Sequence, residues 1–132
     1  MEKSIAIKGA LLPVLGSSEI PKIPEPIYII NAISYQEGAI VSKTLINHNA
    51  GTITLFAFDV GQRLSEHTSP YDVFLHILEG TAKITISGKQ FEAKEGEVVI
   101  LPANNPHALN ALSRFKMLLT LIHSAGPLQR KT

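Results

Sequence analysis

From Ile29 onward the chain is a succession of short runs rich in Val, Ile, Thr and Phe, and this pattern leaves few folds open. The runs are GAIVSKTLI, GTITLFAFDV, DVFLHILEG, TAKITIS, KQFEAKEGEVVILP and RFKMLLTLIH. β-Branched and aromatic side chains fit the pleated, half-buried surface of a sheet, so each run reads as strand. Turn signals stand between them: NHNAG at 47–51, SGK at 87–89, KEGE at 94–97 and PANNP at 102–106. Their spacing suits antiparallel hairpins. No sustained helical period appears. TLFAF and MLLTLI are apolar on both faces, which predicts one face in the main core and the other beneath a neighbouring element or subunit. An all-β barrel or jelly roll is the expected architecture.

Upstream of these runs Pro13, Pro21, Pro24 and Pro26 punctuate the chain. Proline removes ladder donors and fixes φ, so residues 1–30 are expected to form an extended arm, residues 31–124 the barrel and residues 125–132 a tail. A length of 132 residues suits one domain. The charged fraction, 17%, is below the usual quarter and points to apolar surface covered by a partner. A homodimer is expected, held by the arm and by the outward face of GTITLFAFDV. Lys and Arg number 12 against 11 Asp and Glu, which leaves no basic field for nucleic acid or anionic lipid. Without cysteine, any metal would need His or carboxylate ligands. The longest apolar runs fall well short of a membrane span, and the N-terminal stretch lacks the core and cleavage site of a signal peptide. The expectation is a cytoplasmic protein.

Two blocks carry the chemistry. In the first, Gly61 is followed after five residues by His67, then Ser69, and Gly80 closes the block. In the second, Gly96 is followed after five residues by Pro102, then Asn104 and His107, with Asn110 beyond. Together they resemble the paired motifs of the cupin family, and LSEHTSPYDVFLHILEG with PANNPHALNALSRFKMLLTLI is similar to small single-domain bacterial cupins. The resemblance implies a double-stranded β-helix, the jelly-roll barrel, over about residues 31 to 124. It also implies a cavity lined by His67, Ser69, Val73 and His107. Where metal-dependent, cupin chemistry implies a cage of three histidines and a carboxylate holding Fe, Mn, Ni or Zn. Here Ser69 stands in place of the second histidine and Val73 in place of the glutamate.

His67 and His107 are therefore the candidate metal ligands, and Asp72 and His76 the candidates to complete the shell. Strand alternation bears on that choice. In the family register His67, Ser69, Val73, Leu75 and Ile77 point inward and Asp72 and His76 outward; a bulge near Pro70 would reverse the parity. Against ligation, the histidines can serve as packing or hydrogen-bonding residues and Asp72 as a loop cap. His48, in NHNAG, reads as an exposed turn residue, and His123 has no motif support. The implied function is binding of a small organic molecule in the barrel. With a metal, the reaction class would be oxygenation, isomerisation or decarboxylation; without one, a neutral histidine acts as general base, or the protein is a sensing or storage module.

Overall fold

The computed structural model describes residues 15–16 and 25–123. The tail and most of the expected arm lie outside the described residues. Among the described residues ten strands follow one another: β1 (Leu15–Gly16), β2 (Ile40–His48), β3 (Gly51–Phe58), β4 (Arg63–His67), β5 (Tyr71–Glu79), β6 (Thr81–Ile86), β7 (Lys89–Lys94), β8 (Val98–Leu101), β9 (His107–Ala111) and β10 (Phe115–His123). The one helical piece among the described residues is a 3-10 turn at Ile29–Asn31. No helix of the described residues is long and apolar enough to cross a membrane.

The strands build two sheets, ordered β1-β2-β3-β10-β5-β8 and β4-β9-β6-β7. All pairings are antiparallel except β1 with β2. Period-2 alternation sends Phe56, Phe58, Val73, Leu75, Ile77, Met117, Leu119 and Leu121 from the larger sheet into one core, where they meet Leu64, Ala82, Ile84, Leu109 and Ala111 from the smaller. The result is the expected jelly roll. Phe58 stacks on Phe115 with ring centroids 4.5 Å apart, and this aromatic pair fills the end of the barrel where β3 finishes and β10 begins.

The outward faces of β3 and β10 also find cover. Leu55, Ala57 and Val41 pack with Ile33 in a second cluster, joined by Ile29, Ala32, Tyr35 and Leu118. The surface expected to receive a partner at GTITLFAFDV is thus closed at Leu55 and Ala57 by the chain's own residues 29–35. Two buried lysines fasten this cover: Lys43 donates to the Ala32 carbonyl and Lys116 to that of Ile30. Tyr35 donates to Glu79 Oε1 at 2.6 Å, its ring 5.2 Å from the Arg114 guanidinium and 5.0 Å from the Lys116 ammonium. Exposed apolar side chains of this sheet remain on β2, β5, β8 and β10, where Ile46, Phe74, Val98 and Ile122 are 46%, 40%, 44% and 56% exposed.

Candidate ligand site at one end of the barrel

The two sequence blocks meet at the barrel end opposite the stacked phenylalanines. β4 and β9 pair Leu64 with Leu109 and His67 with His107, so one extra residue is inserted on β4 between the two rungs. This bulge matters, because strict alternation from inward Leu64 would turn His67 to solvent; the insertion restores it to the interior beside His107. The imidazole centroids lie 4.4 Å apart with the rings edge to face. Beyond β8 the chain turns through Asn104, which adopts a left-handed φ of 69° and donates its N–H to the Ser69 carbonyl at 2.7 Å. That bond ties the second block to the first, and asparagine tolerates the conformation where most residues would not.

Each imidazole is held the same way. His67 Nδ1 lies 2.7 Å from the Ser65 carbonyl and His107 Nδ1 lies 3.0 Å from the Asn105 carbonyl. A carbonyl only accepts, so Nδ1 carries a proton in both rings, and a ring in its neutral form then presents a bare lone pair at Nε2. Both Nε2 atoms are buried and find no hydrogen-bond partner. For His107 burial opposes the charged form and pushes its pKa below the usual imidazole value; the bond to Asn105 raises it in part, and nearby His67 lowers it further. His107 is therefore neutral at physiological pH.

The remaining predicted residues separate by face. Val73 is buried and inward, packed in the main core. Ser69 is buried, but its hydroxyl accepts from the Tyr71 N–H at 3.1 Å. The bulge lies in β4 rather than near Pro70, so β5 keeps the register that turns Asp72 and His76 outward. Asp72 Oδ1 accepts from the Ala103 N–H at 2.9 Å and caps the 102–106 loop. His76 sits opposite Val98 and Leu118 on the outer face. His48 is exposed at the end of β2. Among the described residues no group of three or more His, Cys, Asp or Glu side chains is placed to hold a metal ion.

Sequence reading passed over the opposite wall. Thr52 and Thr54 pair with Leu121 and Leu119, sharing the inward face of β3 with Phe56 and Phe58. Their hydroxyls are buried and unpartnered, and with the two imidazole nitrogens they are the unpartnered buried side-chain atoms of the described residues. All four belong to one end: β3 begins beside the close of β10, β10 closes beside the start of β5, and β5 starts where the Ser69–Asn104 bond joins the loops after β4 and β8. His123, at the rim, packs edge-on against Tyr71 with centroids 5.6 Å apart. The period-2 pattern T-x-T-x-F-x-F held the signal for the threonines.

Outside the barrel, a groove of about 420 Å³ runs over β4, β9 and β6, with Arg63, Glu66, Lys83, Thr85 and Asn110 in its lining.

Residues 54–123 match the sequence profile described as Cupin domain. No curated protein matches the chain. Among solved structures, a conserved Streptococcus pyogenes protein of unknown function is 32% identical with a TM-score of 0.75, the match covering 83% of this chain and 98% of that one. A cupin superfamily protein from Desulfitobacterium hafniense is 28% identical with a TM-score of 0.74, covering 81% and 100%. A cupin 2 conserved barrel domain protein from Leptotrichia buccalis is 40% identical with a TM-score of 0.68, covering 70% of this chain and 45% of that one.

Proposed function

The chain belongs to the cupin family, and from that premise we propose that it binds a small organic molecule in the barrel end marked by His67 and His107. One observation carries the reading: both Nε2 lone pairs are buried without a partner while both Nδ1 atoms are held by backbone carbonyls. A buried, unmet acceptor costs about 1–3 kcal/mol. Two of them side by side are stable when something that donates hydrogen bonds fills the space between the walls. Apolar surface from Val73, Leu121 and Tyr71 suits the body of such a ligand. Neutral His107 is also in the protonation state required of a general base, which fits catalysis on an enolisable ligand.

The family also implies a divalent metal. Both rings are oriented as metal-bound imidazoles are, with Nδ1–H on a carbonyl. The rest of the donor set does not fit. Ser69 offers a neutral hydroxyl already engaged by a backbone N–H, Val73 offers no donor, and the Asp72 carboxylate caps a loop. Two imidazoles with no anion are a weak cage for a divalent charge. The proposal also includes a cytoplasmic homodimer formed through the exposed apolar residues of β5, β8 and β10.

The test is a fragment titration followed by histidine side-chain NMR on untagged protein. Ligands should shift the His67 and His107 signals and lose affinity in His107→Phe. Binding confined to the outer groove near Arg63 and Lys83 would refute the assignment.

A further inference from the structure

The wall formed by Thr52 and Thr54 says what kind of molecule fits, given that the barrel end is a binding site as proposed above. A neutral imidazole with its proton on Nδ1 accepts at Nε2, so toward β4 and β9 the fitting ligand donates. A threonine hydroxyl can give or take, so toward β3 the ligand can do either. Among the described residues no cation stands at this end to compensate an anionic group. The buried lysines Lys43 and Lys116 donate to carbonyls of the outer cover, and Lys89 is exposed with its ammonium 5.7 Å from the Phe91 ring centroid. A carboxylate would set lone pairs against the two imidazole lone pairs and lose its hydration without a cation in return.

We infer that the ligand is an uncharged molecule with neighbouring hydroxyl groups, such as a small polyol or sugar, and that Thr52 and Thr54 are the residues that select it. Hydroxyls give their protons to imidazoles and can give to or accept from threonines, so one kind of functional group suits both walls. The threonines carry the discrimination because the β3 face would otherwise be apolar: Val or Ile fills the same strand position, and Phe56 and Phe58 continue it. A site that hydrogen-bonds a substrate hydroxyl rejects the analogue lacking it far more strongly than an apolar pocket rejects a misfit.

The experiment titrates the full chain with glycerol, erythritol and D-xylose, with D-glycerate as matched anion and toluene as an apolar probe without hydroxyls. Histidine side-chain NMR and thermal denaturation are read together. The expected result is that the uncharged hydroxyl compounds shift the His67 and His107 signals and D-glycerate does not. Thr54→Val should weaken that binding at least tenfold yet leave Tm equal or higher, because an unpartnered buried hydroxyl is replaced by an isosteric methyl; Thr52→Val should act in the same direction. A threonine serving packing alone would give unchanged affinity, which overturns the inference. Preferential binding of D-glycerate or toluene at the imidazoles also overturns it while leaving the binding site in place. Failure of every probe to move either histidine overturns both.

Discussion

His107 ties stability to pH. Its folded-state pKa lies below the ordinary value of 6.5, chiefly through burial, so under acid the unfolded chain takes up the proton first. Stability from this residue is complete above about pH 6.5 and falls as the pH drops below it, down to the depressed folded value. Urea denaturation from pH 7.5 to 5 should show a decline that His107→Gln removes; a flat profile in the parent would contradict a neutral buried ring. Gly80 is a second residue with a sharp expectation. It holds a φ of 82°, and a Cβ there would drive into the Arg114 carbonyl. Gly80→Ala should cost more than about 1–3 kcal/mol, measured by chemical denaturation. Both positions could be read from the sequence by their spacing, Gly80 in the first block and His107 in the second. Thr52 and Thr54 were passed over because threonine is an ordinary strand former, and only the packing of the facing sheet shows that their hydroxyls have no partner.

Among the elements, the strands and their turns were legible because period 2 and the turn residues are local signals. The β4 bulge was not. Its extra residue is defined by the partner strand, and LSEH alone does not say where pairing slips. Sequence reading placed a possible bulge near Pro70, where it would have turned Asp72 and His76 inward; in β4 it leaves them outside. The cover over β3 was likewise hidden, since its fastening joins Tyr35 to Glu79 and Lys116 to Ile30 across long stretches of chain. Burial, then the bond to Glu79, pushes the Tyr35 hydroxyl pKa up, so it stays a donor at neutral pH. Tyr35→Phe should lower stability by about 1 kcal/mol without affecting ligand affinity. Asp59 anchors the neighbouring pair with Arg114 at 2.8 Å. The Gly38 N–H and then Arg114 hold its pKa down from 3.8 to about 2. This stabilisation is present above pH 3.8 and is lost as the pH falls toward 2, so Asp59→Asn should flatten acid unfolding in that interval.

In the whole molecule, a polar end and an aromatic end share one barrel, and the polar end retains two of the four positions that resemble a cupin metal cage. Elemental analysis should find metal well below one ion per chain. Ser69→His with Val73→Glu should raise zinc affinity by orders of magnitude and make Tm depend on added zinc, since a buried carboxylate needs the ion to offset its desolvation. The exposed apolar residues of β5, β8 and β10 should pair two copies, and Phe74→Glu should convert the dimer to monomer in sedimentation velocity. Two unpartnered Nε2 atoms mark the proposed site above all else. Long-range proton–nitrogen NMR of the histidine rings at neutral pH observes them directly. His67 and His107 should both carry the proton on Nδ1, with unprotonated Nε2 resonances that shift when a hydroxylated ligand is added. A proton on Nε2 of either ring, or Nε2 resonances indifferent to every ligand that binds the protein, would contradict it.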